Sequence, residues 1–204
     1  IHLARGYAGD SETYDDLRNA NLMQVIDRRK GLPVALGILY LHAARAQGWE
    51  AHGLAFPGHF LIRLDHGAER AIVDPFNGGR TCAAAELREL VKRNAGSGAE
   101  LSPEHYAPVA DREVLLRLQN NIKSRHLESA RLEDALVSVE AMLLFAPDTI
   151  PLWRESGILN AQIGRLAAAL AALEQYAARA PANEAKDEAA RLISGEAGKP
   201  LKAA

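Results

Sequence analysis

Apolar positions in the first fifty residues recur at helical spacing. Leu22, Val25 and Ile26 fall at i, i+3 and i+4, which predicts a short amphipathic helix over residues 21–29. Asp27, Arg28 and Arg29 read as its solvated end, where cations complement the helix dipole, and Gly31 as its stop. Residues 1–20 are polar, carry Gly6 and Gly9, and read as loop with one turn of helix at most. Pro33 suits a first helical turn, because its missing N–H would be unpaired there anyway. From Val34 to Gln47 the chain is apolar nearly all the way round, apart from His42, Arg45 and Gln47, which predicts a helix buried on most sides. Gly48 fits the residue just past its end.

The period then changes from helical to alternating. Residues 50–56 read as a strand, Pro57-Gly58 as a turn, and residues 59–64 as a strand with Phe60, Ile62 and Leu64 on one face and His59, Leu61 and Arg63 on the other. Residues 71–74 form the next strand, ended by Pro75. A four-residue hairpin loop over 65–68 pairs Leu64 with Glu69 and sets His59 opposite Asp74. Directly opposed Cβ atoms lie about 4.5–5.5 Å apart, within reach for an imidazole and a carboxylate. A one-residue change in loop length would spoil that pairing. Asn77-Gly78-Gly79 reads as a turn, residues 83–93 as an amphipathic helix, and residues 94–98 as a linker.

The C-terminal part repeats itself. Ala130-Arg131-Leu132 matches Gly164-Arg165-Leu166, Ala135-Leu136 matches Ala169-Leu170, and Pro147 matches Pro181, every offset being 34 residues. That is the period of a tetratricopeptide repeat. Trp153 and Gly157 complete the second copy, whereas the first has Gln119 and Lys123 at those places. Two repeats need a cap, which residues 185–193 can supply, and residues 195–204 read as a frayed tail. The domains are therefore expected at 1–110 and 111–204.

Composition narrows the function classes. The chain has 204 residues, 48% of them hydrophobic, and a net charge of −2. That charge gives no electrostatic reason to expect nucleic acid or an anionic membrane as partner. No apolar run reaches the roughly 18 residues of a membrane span. Cys82 is the one cysteine, so no internal disulfide can form, and a reducing, cytoplasmic setting is expected. The chain opens on Ile1 rather than Met, as a piece of a longer protein does. No HxH or HExxH spacing supports a metal site through His59, Asp74 and His52 or His42, and no cofactor is expected.

Three motifs carry a resemblance: Arg28-Arg29-Lys30-Gly31-Leu32-Pro33, Phe56-Pro57-Gly58-His59-Phe60 and Asp74-Pro75-Phe76-Asn77-Gly78-Gly79. With the buried helix between them, they resemble the transglutaminase-like superfamily, and within it the bacterial SirB family, which joins such a domain to tetratricopeptide repeats. The resemblance implies an α+β fold, a papain-like core with a small antiparallel sheet followed by an all-α repeat domain. It matches His59 to a general base and Asp74 to the group that orients it. It puts the nucleophile position on Pro33, where there is no group to activate, and no Cys, Ser or Thr lies between Lys30 and Gly48. Phe56, Gly58, Asn77 and Gly78 are candidates to line the site, although the glycines equally suit plain turns. Cys82 is a candidate displaced nucleophile, placed before a helix whose dipole would lower a thiol pKa; it also reads as ordinary packing. Two functions stand side by side. One is a degenerate domain that binds a protein or peptide partner through its repeat groove. The other is a hydrolase or acyltransferase for peptide or amide bonds that uses His59 and Asp74 with water or Cys82.

Overall fold

The structure is a computed structural model; it describes residues 1–180 together with Asp187, Arg191 and Leu192. The described chain forms two compact units, Ile1–Leu118 and a second that begins at Gln119. Most of the cap expected over 185–193, and all of the tail expected over 195–204, lie outside the described residues.

In the first unit the N-terminal stretch is more ordered than its polar sequence suggests. A single helical turn α1 (His2–Arg5) leads to β1 (Ala8–Gly9), a 3-10 turn (Leu17–Asn19) and helix α2 (Leu22–Arg28). Of the apolar stripe on α2 only Val25 is fully buried, and Ile26 is 48% exposed. The helix stops before its glycine: Arg29, two residues ahead of Gly31, takes the left-handed conformation and closes the last turn onto Val25. Gly31 instead lies in β2 (Lys30–Gly31), parallel to β1, where a Cβ would press on the Val25 side chain.

Helix α3 (Pro33–Arg45) follows at once, with Pro33 as its first residue and residues 33–37 all buried. This is the enclosed helix that the pattern predicts. Beyond it lie β3 (Glu50–Leu54), β4 (Ile62–His66), β5 (Glu69–Asp74), β6 (Arg80–Thr81), α4 (Ala84–Ala95) and β7 (Pro108–Val109). They form a five-stranded antiparallel sheet in the order β6-β5-β4-β3-β7. Phe60, Leu61 and Ile62 are all buried, so the expected alternation is absent there. Both sides of the segment are covered: Phe60 packs on Gly37 of α3, and Leu61 packs with Leu87, Leu90 and Val91 of α4.

The hairpin loop is two residues shorter than expected. His66 pairs with Glu69 around Gly67-Ala68, with Gly67 at φ +59°. A glycine at the first central position suits a two-residue type II′ turn. The register therefore moves by two residues, which keeps every side chain on its face. It also removes the expected cross-strand pair, because β4 begins at Ile62 and His59 lies in the bend before it.

Helix α5 (Asp111–Glu128) starts in the first unit and continues into the second. There α6 (Leu132–Phe145), α7 (Ile150–Gln162) and α8 (Leu166–Arg179) form helical hairpins. The 34-residue offset recurs in the backbone: α6 and α8 begin and end in step, and the turns before them bend at Ala130 and Gly164, both at positive φ. Gly157 lets α7 and α8 close, since a Cβ there would stand 2.6 Å from Leu173 Cγ. Trp153 donates its indole N–H to the Pro147 carbonyl and carries the Arg179 guanidinium over its ring. Lys123, which occupies the glycine's place in the first copy, pairs with Glu155 at 2.6 Å.

Candidate functional site

His59 and Asp74 meet, by a different route from the one the strand pattern suggests. Gly58, at φ +66°, turns the chain against Asn94, whose amide donates to the Pro57 carbonyl. Phe60 then inserts its ring between two glycines: a Cβ on Gly37 would overlap it, and one on Gly53 would stand 3.0 Å away. With its neighbour committed to that slot, His59 places Nε2 3.0 Å from Asp74 Oδ2. The contact is close but poorly directed, an electrostatic approach rather than a well-aligned N–H···O bond. His59 is 16% exposed and Asp74 fully buried.

Asp74 is held mainly by its own loop. The Phe76 and Asn77 backbone N–H groups donate to Oδ1 at 3.0 and 3.2 Å, and the Asn77 side chain donates to Oδ2 at 2.7 Å. Burial alone would push this carboxyl up; the His59 and Asn77 contacts outweigh it and hold it below the usual carboxylate range. Phe76 sets its edge against the His59 ring, with centroids 6.4 Å apart, and Tyr14 packs edge-on against Phe76 at 5.8 Å. Gly9 lies against the Phe76 ring and donates its N–H to the Phe76 carbonyl. Tyr40 reaches up from α3 beside Gly79, where any Cβ would meet its hydroxyl at 2.5 Å; burial raises the Tyr40 pKa.

The remaining sequence candidates spread out. Asn77 touches Asp74, and Gly78 lies at φ +73° beneath the His2 ring. Phe56 is a core residue, packed with Leu54, Leu61 and Leu87 rather than turned to a ligand. Cys82 belongs to the same cluster; burial, with Asp74 adding to it, pushes the thiol up to about 11. That is opposite to the lowering expected from the following helix. Pro33 is buried at the tip of α3.

Sequence reasoning missed a buried clamp beside that tip. Asp10 accepts from the Thr13 backbone N–H and hydroxyl and from Arg28 at 2.8 Å, and these contacts hold its carboxyl far below the usual range. Arg28 also donates to Asn19, whose backbone carbonyl takes the Leu32 N–H. Arg28 is thus no solvated helix end: it ties residues 10–19 to the entry of α3. The one available signal was the acidic, turn-rich run 10–16, which has no reason to be ordered without a distant cation.

Among the described residues, Glu50, His52 and Asp65 bring possible metal ligands within 4.8 Å of one another. Both Asp65 oxygens already accept from guanidinium groups, those of Arg63 and Arg70, which disfavours a second cation. A cavity of about 370 Å³ opens between α3 and α5, lined by Ile38, Leu41, Val114 and Leu115, with His42 and the Arg45–Asp111 ion pair at its wall. No described helix is long and apolar enough to cross a membrane.

Similar proteins agree with this architecture. Residues 2–120 match the transglutaminase-like superfamily, and residues 122–194 match the tetratricopeptide repeat. A UPF0162 protein of Xylella fastidiosa is 34% identical over 177 residues, 84% of this chain and 62% of that protein. A UPF0162 protein of Vibrio cholerae is 35% identical over 159 residues, 78% of this chain and 58% of its own length. Protein SirB1 of Salmonella typhimurium is 29% identical over 161 residues, 78% of this chain and 60% of its length. The chain thus spans less than two thirds of the length of each of these three relatives. No solved structure matches it. With its sheet, buried helix and helical hairpins in this order, the chain belongs to the transglutaminase-like superfamily, in the branch that carries tetratricopeptide repeats.

Proposed function

We propose that this is a non-catalytic transglutaminase-like domain that acts by binding a protein partner, with the repeat helices supplying the docking surface. The reading is supported by the His59–Asp74 contact together with Pro33 standing where the family resemblance puts the nucleophile. Papain-type chemistry needs a thiolate beside the imidazole, and the chain's one thiol is buried with its pKa pushed up to about 11. Tetratricopeptide repeats in general serve protein interaction. Val137, Leu144, Leu166 and Leu170, between 43 and 87% exposed on α6 and α8, support that role here.

A second reading has its own support. The 3.0 Å approach of Asp74 to His59 suits an imidazole that activates water against a peptide or amide bond. The two readings separate in one assay. The full chain is incubated with glutamine-containing peptides and a fluorescent primary amine, and both amine incorporation and ammonia release are followed. The binding reading expects neither product above a His59→Ala control. Turnover by the wild type that is lost in His59→Ala overturns it.

A further inference from the structure

The segment that carries His59 is gripped from α5. Arg117 donates Nη1–H to the Phe56 carbonyl at 3.1 Å, three residues before the histidine, and holds its guanidinium 5.5 Å above the Phe60 ring, one residue after it. The same ring is wedged between Gly37 of α3 and Gly53 of β3, and Val114, one turn before Arg117, closes on Gly53. On the far side Asn94 of α4 holds the Pro57 carbonyl. Residues 57–59 make no ladder hydrogen bonds of their own, since β4 starts at Ile62. The imidazole's direction is therefore set by what clamps its two flanks rather than by a strand. The His59–Asp74 contact itself is close but poorly directed.

We propose that Arg117 is a positioning residue for His59, fixing the imidazole over Asp74 by holding the Phe56 carbonyl and the Phe60 ring. A cation over an aromatic face and a charge-assisted bond to a carbonyl act together on the five-residue segment. The proposal concerns how the ring is held, and it stands whichever of the two functions the site performs.

The test is the histidine ring spectrum of the full chain by proton–carbon NMR at one fixed pH, with His59→Gln used to assign the His59 signal among the chain's seven histidines. Arg117→Met keeps an unbranched apolar stem and removes the charge and the donors. Its His59 signal is expected to move toward the position of an exposed imidazole while the other histidine signals stay in place. Arg117→Lys restores a cation and a donor and is expected to bring the signal most of the way back. An unchanged His59 signal in folded Arg117→Met overturns the proposal, even if melting temperature falls, and so does failure of the lysine rescue. If Arg117→Met does not fold by circular dichroism, Phe60→Leu takes its place: it removes the ring under the guanidinium, and a displaced signal is expected, an unmoved one overturning the idea. The amine-transfer assay reads turnover and this experiment reads ring placement, so either can fail without the other.

Discussion

Asp74 accepts three hydrogen bonds from its own loop and only a poorly directed contact from His59. The carboxylate organises residues 74–77 and would remain largely satisfied without the imidazole. Mutational costs should therefore be unequal. Asp74→Ala strands two backbone donors and is expected to destabilise the first unit by about 3 kcal/mol, whereas His59→Ala is expected to cost about 1 kcal/mol or less. Urea denaturation of the two variants checks this; equal costs would mean that the His–Asp contact itself holds the loop.

The Asp10–Arg28–Asn19 clamp makes its own prediction. Arg28 is partly exposed and Asp10 buried, so removing the cation leaves a buried carboxylate without its charge partner. Arg28→Met is expected to cost about 2 kcal/mol, read as a lower denaturation midpoint. Spectra of the second unit's Trp153 should be little affected.

Acid should act through the same groups. Asp10 and Asp74 both have carboxyls held below their ordinary value of 3.8. A depressed folded pKa means the folded form favours the charged group. The stabilisation is therefore present above pH 3.8 and is lost as pH falls through the folded values. Stability of the first unit is expected to drop steeply below about pH 4, and Asp10→Asn is expected to flatten that drop while lowering stability at pH 7. A pH series of urea melts checks the sign.

The repeat unit offers a pair of opposite substitutions. Gly157→Ala would force a methyl against Leu173 and is expected to destabilise by about 1–3 kcal/mol. Ala130 sits at φ +54° in the turn where the second copy has Gly164. Ala130→Gly relieves that conformation and is expected to stabilise by about 0.5–1 kcal/mol, net of the added freedom of the unfolded chain. Thermal melts of the two variants should move in opposite directions.

What was legible in the sequence had local causes. The repeat announced itself by Ala, Leu and Pro at a fixed offset, and α3 by apolar residues on all sides. The three motifs placed His59 and Asp74 in one site, although the hairpin arithmetic behind their pairing was two residues off. Gly67 carried the missing information, since its positive φ closes a shorter turn than the polar run 65–68 suggests. The two-residue strands β1, β2, β6 and β7 had no periodicity to show, because each exists only against its partner. Arg28 looked solvated for the same reason: its partner lies 18 residues away. The 34-residue pattern marked where helices recur, but it could not show that α5 begins within the first unit and supplies Arg117 to the histidine segment.

The central claim is that no activated nucleophile faces His59. The most direct measurement is the iodoacetamide alkylation rate of Cys82 at pH 8 in the native chain, with and without His59→Ala. With the thiol buried and pushed up to about 11, alkylation is expected to be at least about tenfold slower than that of a free cysteine, and His59→Ala should leave the rate unchanged. A rate above that of a free thiol, lost in His59→Ala, would contradict the account and make this site a working cysteine centre.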